Sequence, residues 1–198
     1  MLCHGSNTNP QSILHVETLP QTTKIQKLMY IICFPGGLAG DLVTATIDSK
    51  KSFISTKGKI ILDIKRNSLK TAFFTEPQLF LSEIFTQYKS VSSHRMYTDA
   101  NYKTISIGVK DKNLYLYAAE RSCILNPPNS AYKFFGVTNT KDLAVILKTH
   151  NEEMVKVANH VIYFDDIIEG NLIEKLQEFT TDLDGSLYQK WLKHWGNR

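Results

Sequence analysis

The chain has 198 residues, of which 42% are hydrophobic and 21% are charged, and its formal net charge is +4. This balance is typical of a globular protein and excludes collagen, coiled coil and wholesale disorder. The longest apolar run, residues 28–34, is far shorter than the roughly 18 residues of a membrane span, so no membrane contact is expected. The small positive charge suits a small anionic ligand as well as a nucleic acid and does not choose between them.

The first 27 residues differ in composition from the rest of the chain. They are rich in Asn, Gln, Thr and Ser and contain Pro10 and Pro20, without the basic and then apolar order of a secretory signal. We expect residues 1–27 to form a polar, flexible arm, or an arm that docks on a neighbour in a homo-oligomer. Residues 28–198 are then a single α/β domain.

The cysteines Cys3, Cys33 and Cys123 are an odd set with no short pairing. This pattern predicts three free thiols in a reducing compartment, and so a cytoplasmic protein. No Cys/His pair has the spacing of a structural zinc site, so no metal is expected.

Strands and helices alternate along the rest of the chain. Residues 29–34 form a continuous apolar run, typical of a strand buried on both faces of a parallel sheet. The apolar patterns predict further strands at residues 59–64, 90–94, 102–109 and 160–164. They predict helices at residues 42–47, 78–88, 113–125, 141–159, 168–179 and 187–195, whereas residues 131–139 fit a strand or a loop. The alternation predicts a three-layer α/β fold with a mainly parallel sheet.

A glycine-rich turn follows the first predicted strand, with the order Phe34-Pro35-Gly36-Gly37-Leu38-Ala39-Gly40-Asp41. Glycines let backbone N–H groups approach a phosphate closely, and a following helix N-terminus adds unpaired N–H groups and partial positive charge. The turn has neither the Gly-Lys-Ser/Thr ending of a P-loop nor the G-x-G-x-x-G pattern. Asp41 can cap the helix, but its charge repels an anion. Two interpretations stay open: an anion or nucleotide-phosphate site, and a tight structural turn.

At this turn the chain resembles the sulfotransferase-type P-loop fold, especially the short sulfotransferase-like proteins of phages and large viruses. The resemblance covers roughly residues 29–195. In that family a turn in the position of residues 35–41 holds the 5′-phosphosulfate end of PAPS. Ser93-His94 is similar to the Ser-His or Thr-His that ends a later strand, and residues 161–167 look like the family's late strand.

The resemblance implies a P-loop-like fold, PAPS or PAP as cofactor, and transfer of sulfate to an unknown acceptor. It implies that Lys110 or Arg121 holds the 3′-phosphate. For a viral protein, it implies the host cytoplasm as location. The turn lacks the Lys and the Ser/Thr that the family usually carries there. A catalytically inactive binding or structural protein is therefore the alternative.

Sulfuryl transfer needs a base for the acceptor and donors for the transferring group. His94 is the candidate base, because it follows a strand at the edge where ligands of open α/β sheets bind. Arg95 and Arg121 are candidates for holding phosphate oxygens through their planar guanidinium groups. A few such residues suit a small anionic nucleotide rather than a specific nucleic acid. The structural alternatives are a polar strand end for His94 and, for Arg121, a helix-surface pair with Glu120 or Asp111.

Three further patterns allow other interpretations. Lys148-Thr149-His150 also resembles a sulfotransferase motif, although it lies within a predicted helix. Asp165 and Asp166 follow the last strand and fit either a metal or amine ligand or a helix cap. Asp48 with Asp63-Ile64-Lys65 has the spacing of a metal-dependent PD-(D/E)xK nuclease.

The two tryptophans of the last predicted helix, Trp191 and Trp195, allow a non-enzymatic interpretation. They lie on one helix face and fit either an interface with a partner protein or packing on the chain's own sheet.

Overall fold

The computed structural model describes residues 29–48, 52–62, 87–96, 101–126, 132–133, 135–181 and 183–196. The strands in these residues are β1 (Tyr30–Cys33), β2 (Phe53–Ile54), β3 (Ile60–Ile61), β4 (Ser90–Ser93), β5 (Lys103–Gly108) and β6 (His160–Tyr163). The helices are α1 (Gly40–Asp48), α2 (Leu114–Leu125), α3 (Thr140–Val157), α4 (Phe164–Ile168), α5 (Leu172–Gln177) and α6 (Ser186–Trp195).

In the described residues, the main sheet has four parallel strands in the order β4-β1-β5-β6. Strand β1 is an inner strand, with Ile31 opposite Val91 on one side and Thr104 on the other. All four residues of β1 are buried, as the continuous apolar run predicted. The prediction of an α/β fold with a mainly parallel sheet is confirmed.

Helices flank the sheet in a three-layer arrangement. Helix α1 packs against β1, β4 and α6, whereas α3 packs against β5 and α2. The main core lies between the sheet and these helices, and its largest fully buried side chains are Trp191, Tyr188, Phe164, Ile32, Leu38, Leu42, Ile47, Ile105 and Ile107. Each flanking helix buries its apolar face, which is the main source of helix stability in a domain of this size.

One predicted strand, residues 59–64, does not join the main sheet. Of its described residues, 59–62, Ile60–Ile61 is a strand, and it pairs antiparallel with Phe53–Ile54 in a separate two-stranded hairpin. The turn between them explains this pairing: Ser55 N–H donates to the Lys59 carbonyl at 2.8 Å, and Gly58 has a φ of +70°. The apolar run therefore pairs with the preceding strand β2, because Gly58 readily adopts the left-handed conformation that the turn requires.

The predicted helix at residues 168–179 is shorter in the structure, Leu172–Gln177, and a short unpredicted helix, Phe164–Ile168, precedes it. Gly170 separates them with a φ of +101°, and Asn171 N–H donates to the Asp166 carbonyl at 2.8 Å. A left-handed residue cannot continue a right-handed helix, so the chain turns there.

The remaining predicted elements in the described residues are confirmed with small changes of boundary. The predicted helix at residues 78–88 and the arm at residues 1–27 lie outside the described residues, apart from residues 87 and 88. None of the helices that the structure describes combines the length and apolar character needed to cross a bilayer.

Candidate functional site

The predicted site residues lie beyond the carboxyl ends of the parallel strands. The 35–41 turn follows β1, His94 and Arg95 follow β4, and Lys110 follows β5. Among the described strands of the main sheet, the chain passes from β1 to β4 on one side and then to β5 and β6 on the other. Ligands of open α/β sheets bind where the strand order reverses in this way, here at the carboxyl ends of β1 and β5.

The turn itself is tightly packed. Pro35, Leu38 and Ala39 are buried, whereas Gly36 and Gly37 are partly exposed. Gly37 has a φ of +91° and Ala39 a φ of +61°. The Ala39 carbonyl accepts hydrogen bonds from Leu42 N–H at 2.9 Å and Val43 N–H at 3.2 Å, which starts helix α1.

Packing alone requires two of the three glycines. A Cβ on Gly37 would lie 2.1 Å from the carbonyl oxygen of Ala118, and one on Gly40 would lie 1.9 Å from the ring of Phe34. Both distances are far below van der Waals contact. A Cβ on Gly36 would meet only Ser122 Oγ, at an ordinary 3.4 Å. Gly37 and Gly40 are therefore needed for the fold, whether or not a ligand binds.

The turn nevertheless keeps backbone donors available. No described residue accepts a hydrogen bond from the backbone N–H groups of Gly36, Gly37 and Gly40. Gly40 is the first residue of the nine-residue helix α1, where the helix dipole adds partial positive charge. Such donors, all close to one helix start, are what a phosphate or sulfate group requires.

Arg121 lies beneath the turn. Only 4% of its surface is exposed, and its Nη1 donates to the Gly37 carbonyl. The guanidinium carbon lies 5.1 Å from the ring centre of Trp191 and 5.0 Å from that of Trp195. Burial lowers the pKa of Arg121 to about 10, against the opposing effects of Tyr117 and Asp41, so the group stays charged at neutral pH.

The position of Arg121 differs from the predicted surface pair with Glu120 or Asp111. Its guanidinium joins the turn to helix α6 instead of lying on the surface of α2. Its Nε is buried and has no hydrogen-bond partner among the described residues.

His94 lies beside the turn. Its Nδ1 is 3.2 Å from the Phe34 carbonyl oxygen, and its ring contacts the Phe34 ring at 4.6 Å in an edge arrangement. Because a carbonyl only accepts hydrogen bonds, Nδ1 carries the proton, and Nε2 is then the basic nitrogen of the neutral ring. The neighbouring Arg95 is exposed, and its backbone N–H and carbonyl both bond Ser93 Oγ.

Lys110 follows β5 and contacts the residues that follow β6. Its Nζ lies 3.2 Å from both carboxylate oxygens of Asp166 and 4.4 Å from the ring centre of Tyr163. The backbone N–H groups of Lys110 and Asp111 both donate to the Asp165 carboxylate at 2.9 Å. The two aspartates therefore bind the loop after β5 rather than cap a helix.

Sequence reasoning placed these two aspartates at a strand end but missed their partner. The sequence does indicate that the two aspartates lie at the ligand-binding edge, because they directly follow a buried strand. Lys110, however, lies 55 residues before Asp165, and only the pairing of β5 with β6 brings them together.

Several other predicted residues lie away from this edge. His150 is on the exposed side of α3, 6.0 Å from the ring of Phe135. Asp48 is at the amino edge of the sheet, where its carboxylate accepts from Lys89 N–H and Ser90 N–H. Residues 63–65 lie outside the described residues. Trp191 and Trp195 are buried against the chain itself, so of the two alternatives for their helix face the structure shows packing within the chain.

Two surface pockets that described residues line lie away from this edge. One of about 400 Å³ is at the amino edge of the sheet, between Tyr30, Lys89 and Phe179. Another of about 200 Å³ lies between the hairpin and α6, beside Phe53 and Lys190. In the part of the chain that the structure describes, no three His, Cys, Asp or Glu side chains are placed to hold a metal ion.

A scan against protein-family models finds no matching family, and no curated protein or solved structure matches the chain.

Proposed function

We propose that the protein binds the phosphate or sulfate end of a nucleotide at the 35–41 turn and transfers a sulfuryl group from PAPS to an acceptor. The observation that carries the proposal is the position of the N–H groups of Gly36, Gly37 and Gly40, which donate to no described residue. They lie at the start of α1, between the strand ends that carry His94 and Lys110. An anion at this position would accept hydrogen bonds from these three N–H groups, which donate to no described residue.

The proposed transfer uses His94 as the base. The acceptor hydroxyl oxygen forms a bond to the sulfur of PAPS, and the bond from that sulfur to the bridging phosphate oxygen breaks. PAP leaves with this oxygen, and the acceptor proton moves to Nε2 of His94. The contact between Nδ1 and the Phe34 carbonyl orients the ring for this role and stabilises the imidazolium that forms.

A specific observation favours a second candidate, a binding protein without transferase activity. The turn has no lysine, and the buried Arg121 donates to the Gly37 carbonyl and lies near Asp41. In this case the guanidinium of Arg121 stabilises the fold and does not contact the ligand. A nucleotide would bind at the turn and leave unchanged.

Calorimetric titration with PAP tests binding, with AMP and sulfate as comparisons. Gly36→Asp places a carboxylate at the turn, where a Cβ makes only an ordinary contact with Ser122 Oγ, and Gly36→Asn is the matched uncharged control. Wild-type protein should bind PAP, and Gly36→Asp should weaken that binding about ten-fold more than Gly36→Asn, because like charges repel at short range. No heat change with millimolar PAP would exclude both candidates.

Incubation with PAPS and a panel of phenols, alcohols and amines separates the two candidates. Formation of PAP that is lost in His94→Gln, with PAP affinity retained, supports the transferase. Tight PAP binding with no PAP formed from PAPS identifies the binding protein.

A further inference from the structure

Asp165 follows β6 and holds the loop after β5, which carries Lys110. One carboxylate oxygen accepts Lys110 N–H and the other accepts Asp111 N–H, both at 2.9 Å. Asp165 is 8% exposed, so these hydrogen bonds are shielded from water. Two charge-assisted hydrogen bonds to consecutive backbone N–H groups fix both the position and the direction of that loop.

Asp166 acts on the side chain of the same lysine. Both of its carboxylate oxygens lie 3.2 Å from Lys110 Nζ, and the ammonium lies over the ring of Tyr163. The side chain of Asp166 is 12% exposed, whereas that of Lys110 is 54% exposed. The ammonium therefore keeps a solvent-facing side on which an anion can approach, while its buried side is neutralised.

We infer that Asp165 is a positioning residue for the anion-binding cation Lys110, and that Asp166 is the counter-ion with which a bound anion competes. The inference rests on the proposed function, because it assigns Lys110 to a phosphate group of the nucleotide. Lysine has a long flexible side chain, so a fixed backbone and a fixed resting position reduce the entropy that is lost when the anion binds.

The fold contains a matched control for Asp165. Asp48 is also 8% exposed, and its carboxylate also accepts two consecutive backbone N–H groups, those of Lys89 at 2.6 Å and Ser90 at 2.7 Å. It does so at the amino edge of the sheet, away from the turn. Asp165→Asn and Asp48→Asn thus remove the same kind of contact from opposite edges.

Hydrogen exchange of the free protein gives the first test and needs no ligand. Asp165→Asn should raise the exchange rates of the Lys110 and Asp111 amides by about ten-fold, the scale of one lost charged hydrogen bond, and leave the Lys89 and Ser90 amides unchanged. Asp48→Asn should do the reverse. Unchanged exchange at Lys110 and Asp111 in Asp165→Asn would overturn the inference.

Titration with PAP gives the second test. Asp165→Asn should weaken PAP binding about ten-fold in the wild-type background and not at all in Lys110→Ala, since the effect passes through Lys110. Asp166→Asn should tighten binding about three-fold, because a competing carboxylate is removed. Asp48→Asn should leave the affinity unchanged.

The outcomes separate the inference from the proposed function. If Asp165→Asn weakens PAP binding equally with and without Lys110, or Asp166→Asn weakens it, the inference is wrong although PAP binds. If wild-type protein does not bind PAP, the proposed function fails, and with it the ligand role of Lys110, whatever the exchange rates show.

Discussion

At the scale of single residues, Gly37 is constrained both by its own backbone conformation and by its neighbour. Its φ of +91° is unfavourable for any residue with a Cβ, and that Cβ would lie 2.1 Å from the Ala118 carbonyl oxygen. Gly170 has a similar φ of +101°, but no atom lies within 4 Å of its Cβ position. The two glycines therefore separate backbone strain from steric overlap.

We expect Gly37→Ala to lower the free energy of unfolding by about 2 kcal/mol or more, because strain and overlap add. Gly170→Ala should cost about 1 kcal/mol, the strain alone. Urea denaturation of both variants measures the difference. Equal losses would show that the turn moves away from α2 without cost and that the close approach is not needed.

At the scale of elements, helix α6 joins the hairpin to the rest of the domain through Trp195. The indole Nε1 donates to the Gly58 carbonyl at 3.0 Å, and the Tyr117 hydroxyl donates to the Trp195 carbonyl at 2.8 Å. The β2–β3 hairpin has only two residues in each strand. A pair of strands this short is not stable alone, so its order depends on contacts with the rest of the chain, of which this is one.

Trp195→Phe should loosen the hairpin, and trypsin should cleave after the exposed Lys57 about five-fold faster, as expected when about 1 kcal/mol of hydrogen-bond energy is lost. Trp191→Phe is the matched control. Trp191 also stacks on Arg121, but its Nε1 has no hydrogen-bond partner among the described residues. Mass spectrometry of the first fragments identifies the cleavage site, and equal rates in both variants would argue against the anchoring role of Trp195.

At the scale of the whole molecule, buried tyrosines link stability to alkaline pH. The Tyr115 hydroxyl donates to Asn151 Oδ1 at 2.8 Å within the core. Burial, with added repulsion from Glu152 and Asp165, raises the pKa of Tyr115 from 10.0 to about 12. Burial also raises the pKa values of Tyr30 and Tyr188. Above pH 10 these tyrosines therefore keep protons in the folded state that they release in the unfolded chain.

The sign of the pH effect follows from this difference. Below pH 10 both states keep the Tyr115 proton, and the contribution to stability is complete; it is lost as pH rises from 10 to about 12. We expect the free energy of unfolding of the wild-type protein to fall over this range. Tyr115→Phe should be less stable than wild type at pH 8, and the gap between the two should close as pH rises, because phenylalanine has no proton to lose. Denaturation curves at several pH values measure this gap, and a constant gap would contradict the assignment.

The whole chain also shows how far local pattern reaches. The continuous apolar run at residues 29–34, the alternation at residues 102–109 and the helical spacing at residues 141–159 each identified an element that the structure contains. These signals are local, because the spacing of apolar residues within a strand or helix predicts which of its faces is buried. The order of elements then implied an α/β fold with a parallel sheet.

Contacts between distant residues were decided only by the tertiary structure. The sequence alone determined that a glycine turn follows the first strand, but not that Arg121 would lie beneath it against two tryptophans 70 and 74 residues later. Likewise, it placed Lys110 and Asp165 after strands without showing that the two would meet. Strand order determines these pairings, and strand order depends on the packing of the whole core, which no local spacing encodes.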